Sequence, residues 1–350
     1  MTQRITGVQR FAFEICKALD ALCCANSDVE FIGLRPNCQI QEQYSNYNFN
    51  SIRVNSCGHL SGHLWEQLEL PWYSSGSLLV NLCNTAPLFK FKQCITLHDV
   101  IFMTNQDSQK LWFKLWYRLI ARVTSFSAQT IFTVSQFSKA EIVRTLKITA
   151  SRIIVLGNAP SLQNYNYINR VFTRFGLSDK KYFLVIGSSS VRKNTQIVTN
   201  LFAFDPELRG TILVIVGGKY MNLTAIDDIV ADNIIYTNYV EDGELRSLYH
   251  NAQALIFPSL YEGFGIPVIE AMSEHTPVIV ADIPVLQEVC ADSALYFDPH
   301  DAMALKSLLL QVISNQRITD DLNNAAALRV SHYKWTKFAK IMQDIIIKNI

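Results

Sequence analysis

Between residues 8 and 22, the apolar side chains Val8, Phe11, Phe13, Ile15, Ala18, Leu19 and Leu22 recur at helical spacing. Short apolar runs follow: Val29–Leu34, Ile52–Asn55, Leu78–Leu82, Cys94–Leu97, Thr130–Val134 and Arg152–Leu156. Each is strand length and bounded by turn residues, which predicts strands. Segments of helical period lie between several of them, including 109–123 and 136–147. Strands alternating with helices predict a parallel sheet with helices on its faces, an α/β fold.

The stretch Gly157–Asn169 has no period and is rich in Asn, Pro and Ser, so it reads as a linker. The rhythm then repeats. Strands are expected at Tyr182–Ile186, Thr211–Val216, Asn233–Tyr236, Ala252–Phe257, Pro277–Ala281 and Ala294–Phe297, with helices between them and a helical tail from about Asp301. Each half reads as one doubly wound domain, with the ligand expected at the carboxyl ends of the strands. The expected division is 1–165, 166–335 and a last helix, 336–350, returning to the first domain. A doubly wound sheet normally opens with a strand before its first helix. Here the loop at Gly7 arrives almost at once, and the expectation is that the N-terminal domain lacks its first strand.

Composition narrows the class. A length of 350 residues favours two domains, and 49% hydrophobic residues are ample for two cores. A net charge of +1 argues against a broad nucleic-acid-binding surface. The eight cysteines include no Cys-x-x-Cys spacing and read as reduced small hydrophobes of a cytoplasmic protein. No run of eighteen apolar residues is present, so no membrane-spanning helix is expected.

The densest chemistry lies in Pro258-Ser259-Leu260-Tyr261-Glu262-Gly263-Phe264-Gly265-Ile266-Pro267-Val268-Ile269-Glu270-Ala271-Met272. Pro258 stops a buried strand, and Gly263 and Gly265 permit a tight turn close to a ligand. Pro267 suits the first turn of a helix. Glu262 therefore falls in a strand-to-helix loop and Glu270 about one turn inside the helix. A helix N-terminus at that edge attracts an anion such as a phosphate.

This stretch resembles the donor-site signature of retaining glycosyltransferases of family 4, the glycosyl transferases group 1. Thr276–Val289 and Ala294–Pro299 follow the same pattern, and Gly187-Ser188-Ser189-Ser190-Val191-Arg192-Lys193-Asn194 resembles the family's phosphate-binding loop. The similarity covers essentially the whole chain and is most specific from Tyr182 to Pro299. It implies the GT-B fold, two Rossmann-like domains facing across a cleft. By resemblance, Lys193 binds the leaving phosphates with Arg192 beside it. Glu262 contacts hydroxyls of the donor sugar near the reacting centre, surrounded by the amides of Gly263, Phe264 and Gly265. Glu270 accepts hydrogen bonds from the ribose diol. His98 stands near the donor sugar and acceptor, and Gly7 allows approach to the diphosphate. Gly217, Gly218, Tyr239 and Val240 line the base pocket by their backbones. Three positions depart from the pattern. Ser188 stands where many relatives have an arginine, Gln9 where a second glycine is common, and His275 where glycine precedes Thr-Pro.

The implied reaction moves a sugar, mannose as first expectation with GDP-mannose as donor, onto a lipid-linked or oligosaccharide acceptor in cell-surface polysaccharide or lipopolysaccharide assembly. The resemblance also implies that no metal or other cofactor is required, and the sequence holds no Asp-x-Asp pair that would bind one. A sugar-nucleotide epimerase of similar fold and an inactive sugar-nucleotide-binding subunit remain open alternatives. So does a peripheral place on the inner face of the plasma membrane. Lys110, Lys114, Arg118 and Arg122 form a basic stripe among the aromatics of 110–123, which fits either an anionic membrane surface or the solvated edge of a core helix.

Overall fold

A computed structural model describes residues 7–23, 29–37, 47–103, 111–187, 190–217 and 229–350. The described chain folds as two compact units. One holds 7–103, 111–158 and Lys334–Ile350, and the other holds Ala159–Tyr333.

In the first unit, a helix over Gly7–Cys23 buries Phe11, Ile15, Ala18 and Leu19, one face at helical spacing. The same face buries Asp20, which the periodicity did not mark. Its carboxylate accepts the amides of Asn50, Ser51 and Ile52 at 2.9, 2.7 and 2.8 Å, which offsets the cost of burying it. Two parallel sheets follow among the described residues. Strands β1 (Ile32–Pro36) and β2 (Arg53–Cys57) pair with each other. Strands β3 (Leu79–Asn81), β4 (Gln93–Thr96), β5 (Thr130–Thr133) and β6 (Ile153–Val155) form a sheet in that order. β1 begins three residues later than the apolar run at Val29, because Ile32 is the residue that pairs with Arg53. The expectation about a strand before Gly7 falls on residues outside the described ones.

The 111–127 helix reaches Ser127, one turn beyond the expected end. Ser135 caps the next helix, Gln136–Leu146, accepting the Ser138 amide at 2.9 Å. The last helix, Trp335–Asn349, lies against Gly7–Cys23, with the rings of Phe11 and Trp335 5.7 Å apart.

The second unit carries one parallel sheet of six strands, in the order β12-β11-β10-β7-β8-β9. These are β7 (Tyr182–Ile186), β8 (Ile212–Val216), β9 (Ile234–Asn238), β10 (Ala254–Phe257), β11 (Val278–Ala281) and β12 (Leu295–Phe297). The chain builds β8 and β9 on one side of β7, then crosses to place β10 on the other. The strand order therefore reverses between β7 and β10, both central and buried.

The segment read as a linker is packed for most of its length. Ala159 and Leu162 are buried in the second unit. Arg246 donates to the carbonyls of Gln163 and Tyr165, and Ile168 N–H donates to Ser247 Oγ at 2.9 Å. Its lack of period reflects hydrogen bonding by backbone rather than looseness.

Candidate active site

The site is built where β7 and β10 part. After β7 the chain runs through Gly187 to a single turn, Val191–Lys193, and then to Asn194, whose φ of 51° is left-handed. Asn194 starts the helix Thr195–Phe204, and its side-chain amide donates to the carbonyls of Pro258 at 3.2 Å and Pro299 at 2.8 Å. Leu260 N–H donates to the Arg192 carbonyl at 2.8 Å. The two loops are thus tied together by backbone and amide groups.

That tie brings three charges to one point. Lys193 Nζ lies 2.6 Å from Glu262 Oε1, and Arg192 Nη1 lies 3.0 Å from the same oxygen. Arg192 also donates to the Tyr261 carbonyl at 2.9 Å, and Lys193 stands over the Phe257 ring at 5.0 Å from its centre. Burial alone would raise the Glu262 carboxyl. The neighbouring Arg192 and Lys193 outweigh it and bring it down to about 2. The carboxylate is ionised across the physiological range, and the two cations are arranged to receive negative charge.

Beyond Glu262 the loop turns at Gly265, whose φ of 105° is left-handed; a Cβ there would lie 2.9 Å from Leu286 Cδ2. Both reasons require glycine. Gly265 opens the helix Ile266–Ser273, with Pro267 in its first turn. Gly263 is buried, and the Phe264 ring packs edge-on to Tyr333 at 5.5 Å. Phe264 therefore offers a ligand only its backbone. Glu270 follows inside the helix and is only 4% exposed. Ser161 Oγ donates to its Oε1 at 3.2 Å, and the Tyr249 hydroxyl to its Oε2 at 3.5 Å.

Two further loops end at the same edge of the sheet. β8 is followed by Gly217, where a Cβ would fall 1.9 Å from the Gly187 carbonyl oxygen, so the β7 and β8 loops touch through two glycines. β9 is followed by Tyr239, which is exposed, and Val240, which is buried. Gly218 and Ser188 lie outside the described residues.

The second unit thus brings together Arg192, Lys193, Glu262, Gly263, Phe264, Gly265, Glu270, Tyr239 and Val240 at one sheet edge. Gly7 and His98 belong to the first unit. Gly7 is the exposed first residue of its helix. His98 is buried beyond the carboxyl end of β4, its ring edge-on to Phe11 at 4.7 Å. Burial pushes the imidazole down to about 4, so it is neutral. Its Nε2 lies 3.1 Å from the Leu82 carbonyl, which can only accept, so that nitrogen carries the hydrogen. Nδ1 is left as an acceptor. The ring can therefore accept from a sugar hydroxyl but has already spent its N–H on Leu82.

His275 has a φ of 60°. That conformation favours glycine, which explains why glycine suits the position before Thr-Pro. Sequence reasoning placed Asn194 in the phosphate-binding loop without a role of its own, and missed Ser161 and Tyr249. Asn194 carried a local signal, a polar residue directly before a helical period. Ser161 carried none, since its contact with Glu270 spans 109 residues.

The profile of the family described as Glycosyl transferases group 1 matches residues 170–329. The chain is 30% identical over 261 residues to the O-antigen chain mannosyltransferase RfbU of Salmonella typhimurium, covering 73% of this chain and 70% of that protein. It is 31% identical over 223 residues to the O-antigen chain mannosyltransferase B of Escherichia coli, covering 60% of this chain and 58% of that one. Among solved structures, Anabaena HepE in complex with UDP-glucose superposes with a TM-score of 0.74 at 13% identity, over 99% of this chain and 98% of HepE.

Proposed function

This chain belongs to the glycosyl transferases group 1, with their GT-B fold, and we propose that this glycosyltransferase moves a mannosyl residue with retention at the anomeric carbon. The proposed donor is a nucleoside-diphosphate sugar, GDP-mannose first. The proposed acceptor is a lipid-linked or oligosaccharide glycan of a bacterial surface polysaccharide. The mannosyltransferase relatives support the sugar, and the UDP-glucose complex of HepE supports the donor class. Among the described residues no helix is long and apolar enough to cross a membrane, so a lipid-linked acceptor would be met at the membrane surface.

The observation that carries the reading is the convergence of Lys193 and Arg192 on Glu262 at the point where strand order reverses. In open α/β sheets ligands bind there. Breaking the glycosidic bond leaves charge on the diphosphate, and two fixed cations with two helix N-termini suit that charge. Donor binding would draw Lys193 and Arg192 from the carboxylate to the phosphates. Glu262 is then released to accept from sugar hydroxyls. Glu270, held by Ser161 and Tyr249, presents its remaining lone pairs to the ribose diol. The amides of Gly263 to Gly265 would complete the contact with sugar and diphosphate, and the backbone at Tyr239 and Val240 would meet the base.

In this reading the cations do the work a divalent metal does elsewhere, and no metal is needed. Transfer from radiolabelled GDP-mannose, UDP-glucose and other sugar nucleotides to a polyprenyl-diphosphate oligosaccharide, with and without EDTA, tests it. We expect mannosyl transfer that survives the chelator. Transfer of another sugar would overturn the donor assignment, and loss of transfer in EDTA would overturn the metal-free mechanism.

A further inference from the structure

We propose that the exposed face of the 111–127 helix, together with Phe91 beside it, docks this protein on an anionic phospholipid bilayer. Leu115, Leu119, Val123 and Phe126 recur at spacings of four, four and three, so they form one stripe along the helix. A core helix would bury such a stripe. Here the four side chains are 46, 49, 39 and 82% exposed. The buried face is instead Ile120, Ala121, Thr124 and Ser125. At the end of the stripe, Val123, Phe126 and Phe91 line a groove of about 630 Å³ with Arg122 and Lys147.

The charge around the groove is mostly positive. The chain segments 86–98, 111–128 and 142–156 form this region and hold eight Lys and Arg residues and no Asp or Glu, in a chain of 31 basic and 30 acidic residues. Several of the eight have internal roles. Arg118 donates to the carbonyls of Phe102 and Met103 at 3.0 and 3.3 Å, and Arg144 pairs with Glu141. The four-residue basic stripe expected from sequence therefore loses Arg118 to the interior. Lys110 and the Lys114 side chain lie outside the described residues. Arg122 and Lys147 remain exposed at the groove. Arg152 donates to the carbonyls of Ser125, Phe126 and Ala128, which fixes the turn that carries the exposed Phe126 ring.

An apolar stripe flanked by cations matches the boundary between acyl chains and anionic headgroups. A second copy of this chain is the poorer occupant. In a two-fold pairing the same patch meets itself, which brings like charges together. The surface deepens the reading of a membrane-borne acceptor and rests on it for its purpose, although vesicle binding can be measured without transfer.

The test is co-sedimentation of the full chain with phosphatidylglycerol-containing vesicles and with pure phosphatidylcholine vesicles. Each basic contact near an anionic surface multiplies binding by roughly fivefold. We expect binding to the anionic vesicles only, lowered about 25-fold in the double variant Arg122→Gln, Lys147→Gln. Leu119→Ser with Phe126→Ser should also weaken it. Circular dichroism and a wild-type-like cooperative thermal melt check that the variants remain folded. Wild-type protein that stays in the supernatant, or charge variants that sediment as the wild type does, would overturn the proposal. So would a concentration-dependent dimer that Phe126→Ser dissolves, since that makes the face a self-interface. Wild-type protein that transfers to a soluble acceptor but does not bind the vesicles sinks this surface alone; wild-type protein that binds the vesicles but transfers no sugar sinks the transferase reading alone.

Discussion

The ammonium of Lys193 sits 2.6 Å from the carboxylate of Glu262, although 69 residues separate them in the chain. The pair exists because β7 and β10 are neighbours in the sheet and Asn194 ties their loops. The carboxylate engages the two cations that the proposed mechanism assigns to phosphate.

The pair makes stability depend on acid in a defined window. Glu262 titrates at about 2 in the fold against an ordinary value of 4.5. A lowered folded value means stability that is present above 4.5 and is lost as pH falls toward 2. We expect wild-type protein to lose about 2–3 kcal/mol more than Glu262→Gln across that window. Urea titrations at several pH values measure it, and equal losses would show that the ion pair contributes nothing.

Lys193→Ala should act mainly on turnover. Phosphate charge peaks as the glycosidic bond breaks, so a cation placed there favours the transition state over the bound donor. We expect kcat to fall by about 10²- to 10³-fold, with a smaller change in donor affinity. A raised KM at full kcat would reduce Lys193 to a ground-state contact.

Glu270→Ala should weaken nucleoside diphosphate binding by about 1.5–3 kcal/mol, the usual loss for a hydrogen bond to a charged group. Ser161→Ala removes one orienting donor to the same carboxylate and should cost less. Calorimetry with GDP ranks the two, and an unchanged Kd in Glu270→Ala removes that residue from the site.

His98 sets a second pH window. Its folded value of about 4 lies below the ordinary 6.5, so the unfolded chain binds the proton first. Stability is full above 6.5 and falls as pH drops toward 4. His98→Gln should flatten that fall. Proton NMR of the imidazole between pH 4 and 7 checks the cause, and a mid-point near 6.5 in the folded protein would refute it.

His275→Gly should raise stability by about 1 kcal/mol or less. The histidine is exposed and holds a φ of 60°, which costs an L-residue about 1–2 kcal/mol, partly offset by the greater freedom of unfolded glycine. Thermal melting decides, and a lowered Tm would mean that the imidazole has an unseen use.

Legibility followed range. β7 runs from Tyr182 to Ile186, as the apolar run predicted, because a strand buried on both faces writes itself as a continuous run. The turn at Gly265 and the helix start at Pro267 are written locally as well. Arg118 is a different case. Its spacing put it on a basic stripe, but the carbonyls of Phe102 and Met103 draw it inward, and no pattern within the helix announces them. Asp20 and Glu270 are likewise buried by partners 30 and 109 residues away, which no local spacing encodes.

The last helix has a temporal consequence. Trp335–Asn349 completes the first unit, with Trp335 against Phe11 and Gln343 against Cys23, whereas the second unit is contiguous from Ala159 to Tyr333. Domains made on the ribosome generally fold in order of synthesis. Here the order is inverted. The unit begun first waits with the apolar face of its first described helix uncovered until Trp335–Asn349 leaves the exit tunnel. The unit begun second closes before it. With Tyr333 outside the tunnel and 334–350 still within it, the nascent chain should therefore hold a finished second unit and an unfinished first one, the state in which chaperones have most to do.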